Sequence, residues 1–323
     1  MYIYDYTFLG KAYVFGNITK SFDNVINSIQ KNIKHSNTKS ALLKRRDATS
    51  EFNNSAIIFC GNIGLINVSE EKIQKTFMEL NENLVKNKTF LFFVRGNEEN
   101  PSLYYETKYE FSNIKFIQDY SIIKLDNFNC LCIGGGVSMD RAWKIKQEKR
   151  YGKKYYYENE ATNLNEEMVR KNLNEYAITT VISFDAPSFF GEKMRNYKEN
   201  KWIKNDESLL HDIVENRLKL DFAHNEMIKL NNIPYLWYCI RESSNNGNQF
   251  INDIYFTNIN LGFTNSVNNT ILNLFNVHIN DSTKVFLNNE SKESNDEVSI
   301  YNEYVNNITA TEPIEMVFDE LNF

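Results

Sequence analysis

Residues 55–62 read Ser-Ala-Ile-Ile-Phe-Cys-Gly-Asn, and residues 90–97 read Phe-Leu-Phe-Phe-Val-Arg-Gly-Asn. Each is a continuous apolar run stopped by a glycine, the pattern of a strand buried on both faces. Between them Ile73, Phe77, Leu80 and Leu84 recur four, three and four apart, which places one apolar stripe along a helix. Strand, glycine turn, helix and second buried strand describe a βαβ unit, and hence a mostly parallel sheet.

Working outward, the same grammar extends in both directions. Residues 12–15 form a short strand that breaks at Gly16, and Phe22, Val25, Ile26, Ile29 and Ile33 follow at helical spacing. Residues 40–54, with Lys44, Arg45 and Arg46, read as a surface loop. On the other side, strands are expected at 120–125 and 129–133, the latter running into Gly134-Gly135-Gly136. A helix over 163–175, a strand over 179–184, a helix over 206–230 and a strand over 233–240 continue the alternation. Beyond 250 the pattern shifts to short strands at 251–256 and 259–263 with Asn-rich turns. Apolar runs at 271–279, 285–287 and 316–321 follow, with a polar segment at 288–312. The boundaries expected are a domain over 1–264 and a C-terminal extension over 265–323.

Composition narrows the class. The chain has 323 residues, 36 basic against 42 acidic, a formal charge of −6, and 42% hydrophobic residues. That is ample chain for a core, and the acidic balance argues against a protein that coats nucleic acid over its whole surface. Asparagine is in excess, 48 residues against 12 Gly and 4 Pro. Codons from an A+T-rich genome explain most of that, which points toward a phage, virus or low-G+C source but toward no activity. Met1 to Gly16 lacks a basic segment followed by an apolar one, so no signal peptide is expected, and no stretch is apolar enough to span a membrane. Cys60, Cys130, Cys132 and Cys239 each lie in an apolar run. Buried thiols in a cytosolic protein, or in a virion assembled there, fit this better than secreted disulfides.

The loops after the strands carry the strongest signal. They read Gly16-Asn17-Ile18-Thr19, Gly61-Asn62-Ile63-Gly64, Arg95-Gly96-Asn97-Glu98-Glu99, Ser183-Phe184-Asp185-Ala186-Pro187 and Cys239-Ile240-Arg241-Glu242. Asp119-Tyr120-Ser121, Ile133 to Arg141, and Ala186-Pro187-Ser188 stand between and after them. In order and spacing the series resembles the calcineurin-like metallophosphoesterases of bacterial and phage type, over roughly residues 10–263. The resemblance implies an α/β fold with two packed mixed sheets flanked by helices, an α/β/β/α sandwich of four layers.

It also implies a two-metal site, and here the chain departs from the pattern. The family's first-loop Asp and His fall on Asn17 and Thr19, and its bridging Asp falls on Asn62. Asn97 is kept, but the catalytic His after it is Glu98. The strand-terminal His falls on Phe184, and the final pair of His falls on Ile240 and Glu242. Two metals about 3.5–4 Å apart need anionic oxygen and imidazole nitrogen. Asn17 and Asn62 carry no charge, and Phe184 and Ile240 offer no ligand atom. His35, His211, His224 and His278 lie outside the motif loops; His211 and His224 read as solvated or core-edge residues. The expectation is therefore an inactive site on a retained fold, with no cofactor, and a binding or structural role among protein partners, a phage or virion component being the specific form.

Two other readings remain open. An active phosphoesterase would have to hold Mn, Mg or Ca with Glu98, Glu99, Asp185 and Glu242, although Glu98 and Glu99 read more simply as solvated loop charges. A phosphate or nucleotide sensor would use Thr19, Asn62 and Asn97 without turnover. Separately, Lys144, Lys146, Lys149, Arg150, Lys153 and Lys154 interleave with Trp143, Tyr151, Tyr155, Tyr156 and Tyr157. Such a stretch grips single-stranded nucleic acid in some proteins, but a surface loop or protein contact is the favoured reading of residues 144–157.

Overall fold

The structure is a computed structural model and describes residues 3–9, 12–16, 22–23, 26–27, 30, 54–106, 109–126, 128–190, 201–206, 208–240, 249–258 and 272–273. Contacts divide the chain into Met1–Val277 and His278–Phe323, and all described residues lie in the first unit. The two opening stretches form β3 (Ala56–Cys60) and β4 (Phe90–Val94), connected by α1 (Glu70–Lys86). They pair in parallel, from Ala56 opposite Phe90 to Cys60 opposite Val94. β2 (Ala12–Phe15) and β5 (Ile114–Ile117) flank them in the same direction, and β12 (Leu272–Asn273) pairs antiparallel with β2.

A second sheet is built from β1 (Ile3–Tyr6), β6 (Ser121–Leu125), β7 (Phe128–Ile133), β8 (Thr180–Ser183), β9 (Leu236–Cys239), β10 (Gln249–Ile251) and β11 (Ile254–Asn258). Its order is β1-β6-β7-β8-β9-β11-β10. β7, β8, β9 and β11 run parallel, whereas β6–β7 and β10–β11 are antiparallel pairs. Further helices among the described residues are α2 (Ser102–Tyr105), α3 (Arg141–Tyr151), α4 (Glu166–Glu175), α5 (Lys201–Lys204) and α6 (Leu209–Lys229). The fold is thus α/β with two sheets, one mixed and one mostly parallel. No helix among the described residues is long and apolar enough to cross a membrane.

The doubly apolar strands are explained by where their alternate residues go. Ile58, Cys60, Phe92 and Val94 join Ile123, Cys130, Ile182 and Tyr238 of the second sheet in one cluster. Ile57, Phe59, Leu91 and Phe93, pointing the other way, pack on Ile73, Phe77, Leu80 and Leu84 of α1. On the second sheet Leu131, Val181 and Trp237 pack on Val169 and Leu173 of α4 and on Leu220 and Met227 of α6. Helix ends follow local rules. Ser69 caps α1 by accepting from the Lys72 N–H at 3.3 Å, and Asn165 caps α4 by accepting from the Met168 N–H at 3.0 Å.

Several expectations need correction. Residues 251–256 are not one strand, because Asn252 and Asp253 adopt φ of 48° and 63° and turn the chain between β10 and β11. Two residues with positive φ are what a tight hairpin requires. Strands β1 and β5 were not foreseen. The compact unit runs past residue 264, since β12 joins the first sheet. Residues 144–157 are not a surface loop, because most of the stretch is α3, closed by Gly152 with φ 65°. His224 is buried with its ring 4.6 Å from that of the partly exposed Phe189, and His211 is exposed, so both fall within the solvated or core-edge reading. All four cysteines are buried and free. Residues 40–53, 259–263, 285–287, 288–312 and 316–321, together with His35 and His278, lie outside the described residues.

Candidate functional site

The loops following β3, β4, β7, β8 and β9 meet at one end of the two sheets. Gly61, at φ 104°, donates its N–H to the Val94 carbonyl at 2.9 Å and starts the loop after β3. Gly96 is needed for closeness, because a Cβ there would lie 2.0 Å from Asn62 Oδ1. The loops after β3 and β4 therefore touch backbone to side chain.

A chain of hydrogen bonds runs through this contact. Asn62 Nδ2 donates to Asn97 Oδ1 at 2.9 Å, and the Glu98 N–H donates to Asn62 Oδ1 at 2.9 Å. Asn97 Nδ2 in turn donates to Ser138 Oγ at 2.9 Å. Ser138, itself buried, gives its hydroxyl to Glu160 Oε2 at 2.6 Å and its N–H to Glu160 Oε1 at 2.5 Å. Lys144 reaches in from α3 and donates to Glu98 Oε1 at 2.8 Å and to Ser138 Oγ at 3.2 Å, with Asp140 at 3.1 Å. Beneath this network Arg95 is fully buried and donates to Asp119 Oδ2 at 2.8 Å and to the carbonyls of Glu160 and Ala161 at 2.7 and 2.9 Å. Asp119 Oδ2 also accepts from the Tyr105 hydroxyl at 2.7 Å.

Two carboxyls here are displaced from ordinary behaviour. Glu99 has no exposed surface, and burial lifts it to about 7, against the pull of the Ile63 N–H that it accepts at 2.7 Å. Burial likewise lifts Glu160 to about 7, against the two Ser138 donors and Lys144. The expectation of a solvated charge is overturned for Glu99, which is interior, whereas Glu98 stays partly exposed and is paired with the ammonium of Lys144, itself buried. Their residue types gave no hint of this, since burial here is set by partners on other loops.

The other half of the loop cluster is apolar. A Cβ on Gly61 would lie 2.8 Å from Ile240 Cδ1 and 3.1 Å from Phe184 Cε2, so both side chains cover this turn beside Asn62. The ring of Phe184 extends on to Gly136. Asp185, next along, turns aside to accept from Asn216 Nδ2 at 2.9 Å and from the Ala186 N–H at 2.8 Å.

The structure therefore brings together Asn62, Asn97, Glu98, Phe184 and Ile240, which stand far apart in sequence. Asn17, Thr19 and Glu242 lie outside the described residues. Among the described residues the group with three potential metal-ligand atoms in reach of one another is His211, Asp212 and Glu215, on α6, where Asp212 is already paired with Arg141. Glu98, Glu99 and Asp185 form no such group.

Chemically, those of the positions assigned to metal ligands by the resemblance that lie among the described residues do not fit a dinuclear centre. Asn62 and Asn97 spend both their amide oxygens and nitrogens on neighbours, Phe184 and Ile240 present hydrocarbon, and Lys144 sets a positive charge against Glu98. Residues missed as site members are Arg95, Asp119, Ser138, Lys144 and Glu160. Four of them fall in the segments that carry the resemblance or beside them, and a charged residue ending an apolar strand, as Arg95 does, was the available signal. The chain matches no protein-family model and no curated protein sequence.

Proposed function

We propose that the chain is a catalytically inactive relative of the calcineurin-like metallophosphoesterases, serving as a binding or structural module. In this reading the two sheets and their helices form the family's α/β/β/α layers. The partners are proteins of a larger assembly, with a phage or virion component the form that the A+T-rich composition favours. The observation that carries the proposal is the packing of Phe184 and Ile240 over Gly61 beside the Asn62–Asn97 hydrogen bond. Positions from four separate loops converge as the motif resemblance requires, yet they meet as hydrocarbon and mutually bonded amides. Without a metal-activated hydroxide, phosphate ester hydrolysis lacks both nucleophile and charge stabilisation.

The carboxylate-based alternative is disfavoured by the same geometry, since Glu98 is committed to Lys144 and Glu99 to the Ile63 N–H. The test is metal analysis of the purified full chain, together with turnover of p-nitrophenyl phosphate and its bis-ester in Mn²⁺. The expected result is no stoichiometric metal and no metal-dependent hydrolysis. Near-stoichiometric metal with metal-dependent turnover overturns the proposal, and stabilisation by phosphate or a nucleotide without turnover replaces it with a sensor.

A further inference from the structure

Helix α3 has two faces with opposite tasks. Its inner face is committed to the protein. Lys144 is buried against Glu98 and Asp140, Arg141 is bonded to Asp206 at 2.6 Å and to Asp212, and Glu148 accepts the N–H groups of Tyr155 and Tyr156 at 2.6 and 2.7 Å. These carboxylates hold the helix down.

The rest of the helix surface and its C-terminal end are left basic and aromatic. Trp143 and Tyr151 are 46% and 55% exposed. Lys146, Lys149, Arg150 and Lys153 are exposed between and after them. Among the described residues no ion pair engages any of these four cations. At about 100° per residue, Trp143, Lys146 and Arg150 fall within about 60° of one another, on a strip about 10 Å long. Arg150 lies 5.2 Å from the centroid of Tyr151, which makes a flat, positively charged platform.

We propose that this face binds single-stranded nucleic acid. Four unpaired cations in close succession match a phosphate backbone, and the net charge of −6 means that a polyanion is repelled from much of the remaining surface. An acidic protein would satisfy the lysines alone and gives no reason for two exposed rings. Bases freed from a duplex stack on such rings. Duplex DNA or RNA keeps its base faces covered and fits the patch less well. The inference stands apart from the phosphoesterase reading, since it uses none of the loop-cluster side chains.

The experiment is a tryptophan-fluorescence titration of the full chain with oligo(dT) and oligo(rU) of about 20 nucleotides, at 50 and 200 mM salt. With about four phosphates neutralised, affinity should fall about 50-fold between the two salts. K146E/K149E/R150E should lose binding at the higher salt, and W143A should weaken it about tenfold and remove most of the quench. K171E, an exposed lysine on α4, should leave binding unchanged, and circular dichroism should show all variants folded. The dT and rU arms decide which nucleic acid is preferred. Absence of salt-dependent binding at 50 mM overturns the proposal, as does binding unchanged in the triple variant. Polyglutamate binding as tightly as the oligonucleotides, with W143A neutral, overturns it in favour of an acidic protein partner.

Discussion

The loop cluster at the ends of the strands is two regions built on different physics. On one side Arg95, Asp119, Ser138, Lys144 and Glu160 bury charge and bond it across loops, with only Arg95 Nε and Asp119 Oδ1 among their buried side-chain atoms left without a hydrogen-bond partner. On the other, Phe184 and Ile240 cover Gly61 by contact alone. A buried charge is cheap only while every partner is present, so the polar half should be intolerant of single changes. Contact packing loses energy in proportion to the atoms removed, so the apolar half should degrade gradually.

The largest expected effect breaks the polar half. Arg95→Met leaves Asp119 buried without its cation and frees the carbonyls of Glu160 and Ala161. It should cost about 3–5 kcal/mol in urea unfolding. Arg95→Lys keeps the charge but not the planar fork, and should still lose a substantial part of that. A cost below about 1 kcal/mol would mean that the pair does not hold the loops, and the contrast between the halves would fail.

Next comes the pH dependence set by Glu99. Its carboxyl titrates near 7 in the folded chain and near 4.5 when unfolded. Below pH 4.5 both states hold the proton. As pH rises from about 4.5 to 7 the unfolded carboxyl ionises first, so stability falls, and above 7 the loss is complete. Glu99→Gln keeps an oxygen for the Ile63 N–H and replaces Oε2, which has no hydrogen-bond partner. At pH 8 the variant should be more stable than the native chain by about 2–3 kcal/mol, with little difference at pH 4. Glu160 titrates in the same window, so some slope will remain. A variant with the native slope in urea melts across this range would refute the interior placement of Glu99.

The apolar half supplies the third effect. Phe184 is half-buried, so Phe184→Ala should cost about 2 kcal/mol, below the value for a fully interior ring. Phe184→Leu, close to volume-conserving, should cost less than about 1 kcal/mol. Thermal melts of the pair, set beside Arg95→Met and Arg95→Lys, measure the difference in tolerance directly. If Phe184→Leu proved as damaging as Arg95→Lys, the two halves would not differ in kind.

How far the sequence carried these regions follows from the same physics. The stripe of Ile73, Phe77, Leu80 and Leu84 was legible because periodicity reports burial directly, and all four are buried. β1 was not, since its partner β6 lies more than a hundred residues on and its burial pattern is mixed. β5 escaped for a related reason: at the edge of its sheet, its middle residues Lys115 and Phe116 are only partly covered. In the site, the convergence of Asn62, Asn97, Phe184 and Ile240 was legible only through the order of motif loops. The interior positions of Glu99 and Lys144 were illegible. A glutamate or lysine reads as solvated by type, and only a backbone N–H or a carboxylate from a distant loop makes it otherwise.

The smallest effect addresses the seam between the halves. Asn62→Asp is one atom different, yet it removes the donor to Asn97 Oδ1 and sets two acceptors face to face. Asn97 cannot turn its amide to compensate without giving up Ser138. The cost should be about 1–2 kcal/mol in metal-free buffer. A carboxylate at this position is also what the family's bridging ligand would be, so Mn²⁺ is the informative addition. Phe184 and Ile240 still supply no ligand atoms, and Mn²⁺ should leave the melting temperature of the variant unchanged. If Mn²⁺ restored the lost stability, linkage would require a cation bound to the folded state. One substitution would then have been enough to reopen a metal site, and the apolar half would not be the barrier that it is argued to be.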